Sequence, residues 1–160
     1  MIELNVYAVL YSLLSRHRVV LLKEALGERY LPVWIGQNEA EAIAMRLQGA
    51  SVPRPLTHDL MANLLRELSF EVESVVIDDL KNNIYYASIH LVSGARSLEI
   101  DSRPSDAIAL ALRTKSPIYV KKKVFALCMG LDKAAHESDK ETLKQVLEDM
   151  EIDDAGGKIM

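Results

Sequence analysis

The sequence predicts an α+β fold, a single domain in which helices pack on a mixed β-sheet. Several short segments alternate apolar and polar residues, which is the period of a β-strand. Others repeat apolar residues every three to four positions, which is the period of a helix. Strands come first, then two helices, more strands, a buried helix and a further strand, an order typical of an α+β domain. The 160 residues contain no linker long enough to divide the chain.

The first part of the chain is predicted to form three strands. Apolar residues alternate with more polar ones from Ile2 to Leu10, and a β-branched apolar run extends from Arg18 to Leu22. The third strand is YLPVWI, in which Pro32 favours a strand at the edge of the sheet, because proline has no N–H to donate. Trp34 is expected in the core, with a surface for stacking a nucleic-acid base as the alternative.

Two amphipathic helices are predicted next. The first ends near Gly49, a natural C-terminal stop, and the second begins after Thr57. The apolar face of the first is formed by Ala40, Ile43, Ala44 and Leu47. The apolar face of the second is formed by Met61, Leu64, Leu65 and Leu68.

The second half continues with strands around one buried helix. Residues 70–80 and 83–92 are predicted to form two strands joined by a polar turn, and residues 97–100 a short third one. Residues 107–112 are apolar on every side, which predicts a helix buried all round.

The last part of the chain is predicted to contain one short strand and one helix. Residues 118–120 form a strand, and the lysines at 121–123 are interpreted as its solvated end. Residues 1–135 are predicted to form one domain, and residues 136–160 an amphipathic helix with a flexible tail.

Charge and cysteine content limit the function classes. The net charge of −4 argues against strong nonspecific affinity for nucleic acid, which comes mostly from Lys and Arg on phosphates. Cys128 is the single cysteine, which excludes an intrachain disulfide and a cysteine zinc cluster. The N-terminal residues lack the features of a signal peptide, and no apolar run is long enough to span a bilayer. These features predict a cytoplasmic protein.

Two stretches, RPLTHDL (54–60) and DSRPSDAIALALR (101–113), begin helices in the same way. Each combines Arg-Pro with a hydroxyl residue and an acid just before an apolar helical run. Helix capping explains most of this pattern: Thr57, Ser102 or Ser105 can accept backbone N–H groups, and Asp106 lies at the positive end of the helix dipole. Capping does not explain Arg103, which an ion pair with an aspartate would explain.

The same residues also suit chemistry on phosphates. Asp101, Asp106 and Glu39 are candidate ligands of Mg²⁺ or Mn²⁺, since hard cations bind carboxylate oxygens. Arg54 and Arg103 are candidate phosphate-binding residues, because guanidinium pairs well with phosphate oxygens. For Glu39, a purely structural role in the first turn of its helix is the alternative.

Catalytic roles are predicted for Asp101, Asp106, His58 and Asp59. Histidine is the side chain best suited to general-base catalysis near neutral pH, so His58 is the candidate base. The alternative is an exposed histidine in the first helical turn with no catalytic role.

Three stretches in order carry a family resemblance: LPVWIGQNEAEAI (31–43), RPLTHDL, and IDSRPSDAIALALR (100–113) followed by PIYV. Together they resemble the bifunctional nuclease domain, which occurs in bacteria and plants. The resemblance covers about residues 8–122. It implies an α+β fold, self-association as a homodimer or higher homo-oligomer, and nuclease activity on DNA and RNA.

Two functional hypotheses follow. The first is a metal-dependent nuclease that hydrolyses DNA or RNA phosphodiesters, with Mg²⁺ or Mn²⁺ activating water and an arginine stabilising the transition state. The second is a non-catalytic, self-associating module that binds a small anion or a protein partner. Acids open to a basic groove would favour the enzyme, and Arg-Asp pairs closed on each other would favour the module.

Overall fold

A computed structural model of the chain describes residues 1–11 and 16–134. In this part of the chain seven strands form one sheet, in the order β3-β2-β1-β7-β4-β5-β6. The strands are β1 (Ile2–Tyr11), β2 (Arg18–Glu24), β3 (Tyr30–Ile35), β4 (Glu71–Lys81), β5 (Ile84–Ser93), β6 (Arg96–Ser102) and β7 (Ile118–Val120). Every predicted strand is present.

The sheet consists of two antiparallel three-stranded units joined by one short strand. β1, β2 and β3 form the first unit, and β4, β5 and β6 form the second. β7 lies between them, antiparallel to β1 and parallel to β4. The predicted mixed sheet is therefore confirmed, and its one parallel pair depends on the strand that follows the buried helix.

Local sequence accounts for the edges and turns of the sheet. Pro32 lies in β3, an edge strand, as predicted. Asn82 and Asn83 join β4 to β5 with φ angles of 51° and 61°. Positive φ at both central residues is the mark of a type I′ turn, which suits the twist of a tight hairpin and which asparagine tolerates well.

The described helices are α1 (Gln37–Leu47), α2 (Thr57–Glu67), α3 (Pro104–Thr114) and α4 (Lys122–Ala134). The predicted stop after α1 is confirmed by Gly49, whose φ is 65°. The lysine run was interpreted wrongly, because Lys122 and Lys123 begin α4 instead of ending a strand. The helix predicted within residues 136–160 lies outside the described residues. No described helix is long and apolar enough to cross a membrane.

α3 is the central helix of the core, as its uniformly apolar sequence predicted. Residues 107–111 are each at most 1% exposed. The helix packs against α1 and α2 on one side and against β3, β4 and β5 on the other. Because α3 is held between the other helices and the sheet, side chains at its two ends have fixed positions relative to α1 and α2.

The prediction that Trp34 lies in the core was wrong, and the predicted apolar face of α2 is only partly buried. Trp34 is 39% exposed, because it points away from the sheet face on which its neighbour Val33 is buried. On α2, Met61 and Leu65 pack on the core, but Leu64 and Leu68 are 52% and 67% exposed. A leucine in an amphipathic pattern can lie at the solvent margin of the apolar face, which the pattern does not distinguish from its centre.

Candidate functional site

α1 and α3 lie side by side in the same direction, so that their first turns meet and their last turns meet. At the start, Arg103 Nη2 donates to Glu39 Oε1 at 2.8 Å. At the other end, Arg46 Nε donates to the carbonyl oxygen of Leu112 at 3.3 Å. The positive ends of two helix dipoles therefore meet at one end of the pair, and the negative ends at the other.

Four side chains form what we call the helix-start cluster: Glu39, His58, Arg103 and Asp106. His58 Nε2 lies 2.9 Å from Asp106 Oδ1. Arg103 Nε donates to Asp106 Oδ2 at 2.7 Å, and the same guanidinium reaches Glu39. Three separate segments of the chain thus meet in the cluster, with Glu39 joined to Asp106 through Arg103, and the two motifs RPLTHDL and DSRPSDA meet through the His58–Asp106 contact.

The cluster keeps Asp106 ionised. Burial raises the pKa of Asp106, but the hydrogen bonds from Arg103 and His58 outweigh it and hold the pKa below its ordinary value. The hydrogen bonds with Asp106 and then Glu39 raise the pKa of Arg103. His58 is 7% exposed, so the alternative of an exposed first-turn histidine is wrong.

The arrangement suits proton transfer at His58. A carboxylate on one ring nitrogen fixes the orientation of an imidazole and stabilises its protonated form. The Arg103 side chain is 65% exposed, so its guanidinium is accessible to an anionic ligand. The Asp101 side chain, by contrast, forms no hydrogen bond or ion pair with any residue in the described ranges, and Arg103 pairs with Asp106 instead.

Two of the predicted cation ligands, Asp106 and Glu39, are joined by the guanidinium of Arg103 in this arrangement. Both Asp106 oxygens are bonded, to His58 and to Arg103, and the guanidinium bridges Asp106 to Glu39. Within residues 1–11 and 16–134, no three His, Cys, Asp or Glu side chains converge as metal ligands. The place between Asp106 and Glu39 is taken by a cationic side chain.

Asp59 and Arg54, the other predicted site residues, lie at the opposite end of the helix pair. Asp59 Oδ1 accepts a 2.6 Å hydrogen bond from Arg113 Nε, and Asp59 Oδ2 accepts the Leu56 N–H at 2.9 Å. Burial raises the pKa of Asp59, but the bonds from Leu56 and Arg113 outweigh it and keep the pKa low. Adjacent residues of α2, His58 and Asp59, are thus held by opposite ends of α3.

We call the hollow beside Asp59 the helix-end cavity. Its volume is about 370 Å³, and it lies between the last turns of α1 and α3 and the loop that leads to α2. Its polar lining comprises Arg46, Ser51, Arg54, Asp59, Asn63 and Arg113.

Sequence reasoning missed Arg46 and Arg113. Asp106 and Arg113 are seven residues apart, which places them on one face of α3. This spacing could have indicated that both charged side chains face the segment that carries His58 and Asp59. The predicted hydroxyl caps were wrong. α3 begins at Pro104 with Arg103 at the N-cap, since proline suits the first helical position. α2 has Leu56 at its N-cap, whose N–H is bonded by Asp59.

Several known proteins are similar in sequence to this chain. The protein Rv1829 of Mycobacterium tuberculosis, which is uncharacterized, is 42% identical over 147 residues, covering 92% of this chain and 87% of that protein. Bifunctional nuclease 1 of Oryza sativa subsp. japonica is 25% identical over 111 residues, covering 68% of this chain and 34% of that protein. Bifunctional nuclease 2 of Arabidopsis thaliana is 27% identical over 110 residues, covering 66% and 33%.

The plant proteins are therefore matched over about a third of their own length. The bifunctional nuclease domain itself matches residues 20–129, which include both motifs, the helix-start cluster and the helix-end cavity. The chain belongs to the bifunctional nuclease domain family.

Proposed function

We propose that the protein is a nuclease that hydrolyses phosphodiester bonds, with the helix-start cluster as its reaction centre. The observation that carries the proposal is the 2.9 Å contact between His58 and Asp106, with Arg103 on the second oxygen of the same carboxylate. Family membership supports the reaction class, because the plant relatives are named as nucleases.

In the proposed reaction His58 acts as general base. Nδ1, the ring nitrogen that is not paired with Asp106, takes a proton from a water molecule, whose oxygen attacks the phosphorus as the bond to the leaving oxygen breaks. The leaving oxygen takes a proton from solvent. Asp106 keeps the imidazole in position and stabilises the imidazolium that forms. Arg103 offers the phosphate its exposed guanidinium, and the positive ends of α1 and α3 favour the charge that develops there.

Dependence on Mg²⁺ or Mn²⁺ remains a prediction. Asp106 and Glu39 would be free to bind a cation only if Arg103 turned away from both. The reaction described above uses no metal ion, so the dependence of cleavage on a cation is tested separately from the role of His58.

The test is cleavage of labelled single- and double-stranded DNA and RNA by the purified protein, with Mg²⁺, Mn²⁺ or EDTA. A variant carrying Asp106→Ala and Arg103→Ala, shown by circular dichroism to be folded, is expected to lose cleavage. The matched control is Glu41→Gln, an exposed acid of α1 whose side chain accepts from Gln37 and not from the cluster, and this variant is expected to retain cleavage. No cleavage by the unmodified protein would overturn the proposal. Equal cleavage by the double variant would place the reaction elsewhere.

Self-association is the second part of the proposal. Leu60, Leu64 and Leu68 follow one another every fourth residue on α2 and are each more than half exposed. β6 is an edge strand with Leu98 and Ile100 exposed by 41% and 45%. Exposed apolar side chains beside an unpaired strand edge favour association.

Sedimentation velocity tests this second part. The protein is expected to form a homodimer or higher homo-oligomer, and Leu64→Glu to weaken it, because the new charge would be buried in the contact. A protein that sediments as a monomer at micromolar concentration would contradict it.

A further inference from the structure

The helix-end cavity carries an excess of positive charge that the proposed reaction does not use. Three of its lining side chains are arginines, Arg46, Arg54 and Arg113, and Asp59 is its one acid. Asp59 is already compensated, since its two oxygens accept from Arg113 and from the Leu56 N–H. Arg46 also acts on the Asp59 carboxylate through its charge, and the lining as a whole keeps an excess of two positive charges.

Arg113 forms the fixed wall of the cavity. Its side chain is 6% exposed, and all three of its nitrogens donate: to Asp59, to the Ala109 carbonyl at 2.8 Å and to the Ala42 carbonyl at 3.2 Å. This arginine holds α1, α2 and α3 together, and its role is structural.

Arg46 and Arg54 differ from Arg113 in having free donors. Arg46 is held through Nε by the Leu112 carbonyl, which leaves its two terminal nitrogens for another acceptor. Arg54 is exposed and forms no hydrogen bond or ion pair within the described part of the chain. The helix dipole explains a cation in the last turn of α1, but it does not explain Arg54, which lies in a loop.

The remaining lining also offers donors. Asn63 Oδ1 accepts from Arg66 at 3.1 Å, so the amide hydrogens of Asn63 are available to a ligand. Pro53 and Pro55 flank Arg54 and limit the conformations of its loop. A restricted loop loses little conformational entropy when it binds, so the cavity is organised before its ligand arrives.

We propose that the helix-end cavity is a phosphate-binding site, separate from the helix-start cluster. Arg46 and Arg54 bind the phosphate oxygens through paired N–H donors, a geometry that guanidinium provides and ammonium does not. The volume of about 370 Å³ lies at the lower end of ligand cavities and accommodates a phosphate with part of a nucleoside. The ligand is a phosphate ester, supplied either by a free nucleotide or by the backbone of a nucleic-acid strand.

Isothermal titration calorimetry in EDTA tests this proposal on the full chain without cleavage. The probes are inorganic phosphate, adenosine 5′-monophosphate and a short single-stranded DNA. Arg54→Ala and Arg46→Ala are each expected to weaken binding of the phosphate esters at least tenfold, and Arg54→Lys to restore only part of it. Lys122→Ala is the control, since it removes one positive charge from a residue outside the cavity lining.

The probes distinguish the two sources of phosphate. Binding of the nucleotide as tightly as the DNA supports a small-molecule site, and much tighter binding of the DNA supports a site for the strand. Absence of binding of every probe at millimolar concentration, or equal weakening by Lys122→Ala, would overturn the proposal. Because binding is measured without cleavage, a protein that binds but does not cut would contradict the proposed nuclease and leave this site intact.

Discussion

The two ends of the α1–α3 pair carry opposite charge. At the start, Arg103 lies between Glu39 and Asp106, so one cation faces two acids. At the far end, three arginines face one acid. Each arrangement suits its helix dipole, which favours acids in first turns and bases in last turns. The difference suggests that the two ends have different functions. The start offers a base for proton transfer, and the far end offers the positive charge that binds a phosphate.

The largest expected effect is on the rate of cleavage. His58→Gln removes the general base but keeps a polar side chain beside Asp106, and the turnover number is expected to fall by about 100-fold or more. Arg46→Ala, at the other end of the pair, is expected to leave the turnover number nearly unchanged at saturating substrate. Steady-state cleavage of a labelled strand measures both. Equal losses of turnover number in the two variants would contradict the assignment of catalysis to the start of the helix pair.

The next largest effect is on stability, and it differs between the two arginine–aspartate pairs because one arginine is buried and the other is exposed. Arg113→Ala leaves Asp59 partly buried without its guanidinium, which is expected to lower the free energy of unfolding by about 3 kcal/mol. Arg103→Ala breaks a pair whose arginine is 65% exposed, and it is expected to cost less than about 1 kcal/mol. Urea unfolding of both variants measures the difference. A larger loss of stability for Arg103→Ala than for Arg113→Ala would contradict this comparison, because the exposed pair would then stabilise the fold more than the buried one.

Much of this comparison could be predicted from the sequence. The strands, the buried helix and the residues Glu39, His58, Arg103 and Asp106 follow from periodicity and from residue chemistry. The sequence could not show that His58 and Asp59 diverge, because neighbouring helical residues differ by about 100° in direction and their partners lie 48 and 54 residues away. It also could not show which lining residues enclose a cavity, since Arg46 and Arg54 meet only through tertiary packing.

A third effect concerns salt. If the cavity binds the phosphate of a strand, Arg54→Ala is expected to reduce the slope of log affinity against log salt concentration by about 0.7 on single-stranded DNA, since one phosphate contact and its released counterion are lost. Fluorescence anisotropy with labelled single-stranded DNA at several salt concentrations measures the slope. An unchanged slope would remove Arg54 from the strand-binding surface, with Lys122→Ala as the charge-matched reference.

The smallest expected effect is the contribution of the Asp106 charge to stability, which depends on pH. Its pKa is lower in the folded protein, so its charge stabilises the fold above the unfolded value of about 4. That contribution is lost as the pH falls through the lowered folded value. Asp106→Asn is expected to cost under about 1 kcal/mol near neutral pH and nothing at the acid limit. Thermal unfolding of both proteins across this range measures it, and a difference that persisted at the acid limit would refute the assignment.

The central claim is that chemistry and phosphate binding lie at opposite ends of one helix pair. Single-turnover cleavage with Asp106→Asn and Arg54→Ala, on the same labelled strand, tests it most directly. Asp106→Asn is expected to lower the rate constant about 100-fold without weakening the Kd. Arg54→Ala is expected to raise the Kd about tenfold, a loss of about 1.4 kcal/mol, without changing the rate constant. If Arg54→Ala slowed cleavage as much as Asp106→Asn, or if Asp106→Asn weakened binding as much as Arg54→Ala, the claim would be contradicted.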